Sequence, residues 1–106
     1  MPPPREQMLE ELRKAEQARD LMKELERRLA GGNTELESLL TQLERVAQSL
    51  PEPDPIRLLI ESALGSARTR DAIKAGSDVS RSRSSIEGEI STLRGAIEGV
   101  QARSDT

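Results

Sequence analysis

The sequence predicts an all-α protein, with up-and-down helical hairpins forming a three- or four-helix bundle and coiled-coil-like heptad packing. Three observations carry this. Apolar residues recur at steps of three and four along most of the chain, as they do on one face of a helix. Gly-Gly and Pro-rich strings interrupt that pattern at its edges. The 106 residues include no Phe, Tyr, Trp, Cys or His, so the core must be aliphatic, whereas most globular cores lean on aromatic rings.

Residues 1–4, MPPP, open the chain, and proline is tolerated in a first helical turn. The first helix is predicted over 5–30, with Met8, Leu12, Ala15, Ala18, Met22, Leu25 and Leu29 on one face. Glu10–Lys14 and Glu24–Arg28 sit on the other in the favourable i,i+4 order. Gly31-Gly32 ends this helix, since glycine readily takes the left-handed C-cap conformation. The second helix is predicted over 34–50, opened by a Thr34/Glu37 capping box. Leu36, Leu40, Leu43, Ala47 and Leu50 give it a 4-3-4-3 seam, widened by Leu39 and Val46. PEPDP at 51–55 stops it, and Asp54 followed by Pro55 starts the next helix as N-cap and first helical residue.

The third helix is predicted over 55–75, presenting Ile56, Leu59, Ile60, Ala63, Leu64 and Ala67 on one face. After Ala67 that face fades into RTRDAIKAGSDVSRSRSS, and 76–84 reads as a junction, with Asp78 able to cap the next helix. The fourth helix is predicted over 85–102, opened by Ser84/Glu87 as a capping box. Ile86, Ile90, Leu93, Ile97 and Val100 give it the most regular heptad spacing in the chain. Residues 103–106 read as a disordered tail. The whole is expected to form one helical domain.

Composition limits the chemistry. Lys+Arg 16 against Asp+Glu 19 gives a net charge of −3, too small for bulk attraction to nucleic acid or membrane. Without Cys or His the common zinc, haem and iron–sulfur ligand sets are missing. Catalytic side chains reduce to Asp, Glu, Lys and Ser, and no phosphate-binding loop or nucleophile elbow occurs. No enzyme, cofactor or metal site is therefore expected. No apolar run reaches the ~20 residues of a membrane span and the N-terminal string is not a secretory signal, so the expected location is cytoplasmic. The two helices joined across a P-x-P-x-P turn resemble in outline the needle subunits of secretion systems and their helical chaperones. The likeness covers that turn and general amphipathicity, and no site is carried over from it.

Three features are candidates for function. Gly88, Thr92, Gly95 and Gly99 fall on one face of the fourth helix, about 200° around from its Ile/Leu stripe. Each interior glycine costs roughly 1 kcal/mol relative to alanine. Such a row forms either a groove for a closely approaching backbone or a weak solvent-facing helix. Arg57, Arg68, Arg70, Lys74, Arg81 and Arg83 give residues 57–85 a basic bias. They either meet phosphates or pair with the acidic stretch 32–56. Glu52 and Asp54 of PEPDP either present carboxylates or serve as ordinary turn and cap residues.

The expected function is a non-enzymatic helical interaction or oligomerisation module. Its partner would be its own copy (a homo-oligomer) or a helix of another protein, with neither membrane nor nucleic acid as the main partner. The expected anchors are Leu36, Leu43, Ile86, Ile90, Leu93 and Ile97, with Gly88, Gly95 and Gly99 on the second face. In a closed monomer the six apolar anchors would simply be core. Three other readings stand beside it: a small chaperone or adaptor shielding a helical client, a weak nucleic-acid binder acting through 57–85, and an engineered scaffold. Thirteen Arg against three Lys argues mildly against the last. Unequal lengths favour the oligomer, since a first helix of ~39 Å would overhang a second of ~25 Å.

Overall fold

Gly31 and Gly32 stop the first helix where the sequence places the stop. The computed structural model describes residues 5–32, 35–51, 54–68 and 72–104. In it α1 spans Arg5–Ala30, α2 Glu37–Gln48, α3 Pro55–Ala67 and α4 Ala72–Ser104. Gly32 adopts a φ of 73°, a conformation that costs glycine no Cβ clash. The N–H groups of Gly31 and Gly32 donate to the Arg27 and Leu29 carbonyls at 3.1 and 3.2 Å. Met8, Ala15, Ala18, Met22 and Leu25 of α1 are buried, as their spacing predicts.

Cross-helix hydrogen bonds give the directions. Arg28 donates to the Glu35 carbonyl and Lys14 to the Ser49 carbonyl, both at 2.9 Å, so α2 runs back along α1. Arg57 reaches the Leu50 carbonyl and Arg68 reaches Glu44, so α3 runs back along α2. Arg83 meets Glu26 and Arg94 meets Glu16, so α4 is antiparallel to α1. The result is an up-and-down four-helix bundle in which α1 and α4 share the largest interface. No strand occurs among the described residues. One core threads all four helices and includes Met22, Leu25, Leu43, Ile56, Ile60, Val79 and Ile86. Ala15 and Ala18 on α1 are fully buried, and such small side chains let neighbouring helix axes draw close.

The structure corrects the reading of 76–84 as a junction. The break falls earlier: α3 ends at Ala67 instead of 75, and one helix of 33 residues then runs from Ala72 to Ser104. Residues 103–104 belong to this helix, while 105–106 lie outside the described residues. Its core face does not lapse between Ala67 and Ile86 but is carried by Ala75, Val79 and Ser82, all buried. Asp78 caps nothing; its carboxylate accepts a 3.1 Å hydrogen bond from the Ser66 hydroxyl and ties α4 to α3. Ser84 and Glu87 are also interior to the helix, and Glu87 pairs instead with Arg83 at 2.9 Å.

Along α4 the inward positions are Ala75, Val79, Ser82, Ile86, Ile90, Leu93 and Ile97. The step from Ser82 to Ile86 is followed by another of four, so the stripe recurs every eleven residues and not every seven. Eleven residues make three turns of a nearly straight helix, whereas a strict heptad imposes left-handed supercoiling. Extending the heptad backwards would have put Arg83 on the seam.

At about 1.5 Å per residue α4 is ~50 Å long, and it sets the 53 Å long axis of the molecule. It covers α1 along its length, so the overhang that favoured an oligomer is met within the chain. Gly76 is interior to α4, and a Cβ added there meets nothing within 4 Å. Gly76→Ala should therefore stabilise the protein by about 0.8–1 kcal/mol, a rise of several degrees in Tm by calorimetry. A glycine holding open a turn would show the opposite sign.

The other boundaries move less. α2 begins with Leu36 as N-cap and no side-chain cap. Thr34 lies outside the described residues, and Glu37 stands at the first helical position, not the third that a capping box needs. α2 ends at Gln48, although Leu50 just beyond is buried. Asp54 caps α3 as expected, its Oδ1 accepting from the Ile56 N–H at 2.8 Å with Pro55 in the first turn.

Candidate interaction surface

The six expected apolar anchors do not form a surface. Leu43, Ile86, Ile90 and Ile97 are buried, and Leu36 and Leu93 are partly buried against the same core. A partner could reach them only by opening the bundle. The glycines are on the outside: Gly88, Thr92, Gly95 and Gly99 are all exposed. A Cβ built at Gly88, Gly95 or Gly99 meets nothing within 4 Å, so no helix among the described residues uses the groove they leave.

Because 76–84 is helical, this row is longer than the sequence alone suggests. Exposed Ser77 falls eleven residues before Gly88 and twenty-two before Gly99. Ser84 and Gly95 stand in the same relation, as do Ser80 and Ser91. These residues carry only a hydrogen or a hydroxymethyl group, so the outer face of α4 is lined by small side chains from Ser84 to Gly99, while exposed Arg81 stands on the same face between Ser77 and Ser84. The signal present in the sequence is the eleven-residue recurrence of small residues. Reading Gly76-Ser77-Asp78 as a break hides it. Ile73, 88 % exposed at the start of α4, lies within about 60° of this face.

The basic segment is largely committed inside the molecule. Arg57 binds Glu61 at 2.8 Å and the Leu50 carbonyl at 2.9 Å. Arg68 binds Glu44 at 3.2 Å, and Arg83 holds Glu26 and Glu87 at 2.9 Å. Lys74 also has an interaction of its own, Arg70 lies outside the described residues, and Arg81 is exposed. A phosphate backbone would have to compete with these carboxylates. The Arg68–Glu44 pair and the Arg57–Leu50 bond join the basic segment to the acidic stretch 32–56, which is the intramolecular alternative to phosphate binding.

Of the PEPDP carboxylates, Glu52 lies outside the described residues and Asp54 caps α3. Asp54 also lines a groove with Glu11, Lys14, Met8 and Leu50, where the α2–α3 turn rests on α1. Among the described residues no group of three or more Asp or Glu is placed to hold a metal ion. No helix among them is long and apolar enough to cross a membrane. Comparison of the chain with protein-family models, characterised proteins and solved structures gives no significant match. The outline likeness to needle subunits therefore carries no functional weight.

Proposed function

We propose that this protein is a non-enzymatic helical interaction module that associates through the outer face of α4, first with a second copy of itself. The observation that carries the reading is the exposed small-residue channel of Ser84, Gly88, Ser91, Gly95 and Gly99 on a helix whose opposite face is fully engaged. Three glycines on one helix face cost about 3 kcal/mol relative to alanine, and nothing among the described residues fills the space they leave. Small residues let two helix backbones approach closely, where dispersion contacts accumulate over the length of the channel. The Leu/Ile stripes act indirectly, by holding α4 straight and fixing which face looks outward.

The test is molecular mass by sedimentation equilibrium across a concentration series, with helicity followed in parallel. The wild type should show a concentration-dependent rise toward the dimer. The double variant Gly88→Leu/Gly95→Leu should remain monomeric with unchanged or higher helicity, because the added side chains enter open space in the monomer and obstruct only a close neighbour. A wild type that stays monomeric throughout, or a double variant that associates equally well, would remove the proposal.

A further inference from the structure

We propose that Met8 is a reversible oxidation site, through which a hydroperoxide loosens the α2–α3 turn from α1. The sequence narrows the targets first. It holds no Cys, Trp, Tyr or His, and its three methionines are its only sulfur-bearing side chains. Met1 lies outside the described residues. Met22 is 0 % exposed and belongs to the core shared by all four helices. Met8 keeps 7 % of its surface exposed and stands apart from that core. It lines an open groove of about 330 Å³ together with Leu50, Pro51 and Asp54 of the turn. A water molecule takes up about 30 Å³, so hydrogen peroxide, with one oxygen more, has room to enter. Susceptibility to oxidation follows access to the sulfur, and the groove gives that access to Met8 alone of the two described methionines.

In the reaction a sulfur lone pair attacks one peroxide oxygen. The S–O bond forms as the O–O bond breaks, and the departing hydroxide takes the proton of the transferred oxygen to become water. The thioether is oxidised to a sulfoxide and the peroxide is reduced to water. An apolar side chain thereby becomes a polar one. Its new oxygen accepts hydrogen bonds, as do the carboxylates of Glu10, Glu11 and Asp54 that line the same groove. Lys14 is the cation of the groove, and its ammonium already holds the Ser49 carbonyl at 2.9 Å. The sulfoxide therefore turns toward water or draws Lys14 away from the turn. Either way the apolar wall that Met8 forms with Leu50 and Pro51 is broken. Enzymatic reduction of the sulfoxide restores the thioether, which makes the change reversible.

Dilute hydrogen peroxide added to the whole folded chain, followed by peptide mass spectrometry, reads the site. Met8 should gain oxygen about tenfold faster than Met22 or more, and urea should bring Met22 up to the rate of Met8. A Met8 as slow as Met22 in the folded protein overturns the proposal. Oxidation should lower the folding equilibrium constant of the wild type about tenfold, and treatment with methionine sulfoxide reductases should recover it. Met8→Leu nearly conserves volume, so it should fold like the wild type and lose nothing after the same treatment. Amide exchange at Leu50, Asp54 and Ile56, whose N–H groups are bonded within the turn, should quicken on oxidation in the wild type alone. A wild type as stable after oxidation of Met8 as before it, or a Met8→Leu variant with the wild-type loss, also overturns the proposal.

Discussion

Ser80→Pro should remove most of the stability of the bundle. Ser80 lies in the interior of α4, eight residues after its first turn begins at Ala72. A proline there deletes the hydrogen bond to the residue-76 carbonyl and drives its ring into that carbonyl, at a cost of about 3 kcal/mol or more. The damage spreads, because Ala75 and Val79 before the break and Ser82 and Ile86 after it belong to one buried stripe. For a domain of this size the net stability is only roughly 5–15 kcal/mol. Urea unfolding followed by circular dichroism should show the midpoint fall by a large fraction of its value. A cost below about 1 kcal/mol would mean that 76–84 is a junction after all.

Ile86→Ala should cost about 2–5 kcal/mol, through the lost transfer energy and the cavity left behind. Ile86 is fully buried between the other helices, and the core around it has no aromatic side chain to relax into the gap. Ile73→Ala is the matched control in the same helix. Ile73 is 88 % exposed, so its truncation should change stability by less than about 0.5 kcal/mol. Equal costs for the two variants would mean that α4 faces the core with a different side.

These two variants also mark where the sequence was legible. Ile86, Ile90, Leu93 and Ile97 announce their inward face by size and spacing, and they are inward. Asp54-Pro55 and Gly31-Gly32 announce helix ends through backbone chemistry that needs no tertiary context, and both ends stand. The failure lies between Ala67 and Ile86. There the inward positions are Ala75, Val79 and Ser82, two of them too small or too polar to register as a stripe. Ser82 is tolerated because it occupies little volume, and among the described residues no buried side-chain polar atom lacks a hydrogen-bond partner. Gly76 and Asp78 have the chemistry of a turn, yet the interfaces with α1 and α3 outweigh the weak local propensity.

The same misreading shortened the candidate site. With 76–84 taken as a junction, the glycine row is confined to the last helix. With it helical, Ser84 extends the row by a further turn, and Ser77 lies on the same face beyond exposed Arg81. The apolar anchors were legible as core positions but not as a surface, because periodicity says which residues face a partner without saying that the partner is the chain itself. The groove that Glu11 and Asp54 line together was not legible at all, since it depends on how the α2–α3 turn lands on α1.

Closure of α4 antiparallel on α1 within one chain is what leaves the small-residue face outward, and it can be measured directly. The chain has no cysteine, so a single engineered pair can report on it without interference. Glu16 and Arg94 meet across the two helices at 3.3 Å. Glu16→Cys/Arg94→Cys, treated at low protein concentration with a short bifunctional maleimide, should yield cross-linked monomer with native helicity. Cross-linked dimer as the main product, or no cross-link in the folded protein, would show that α4 does not close on α1 of its own chain.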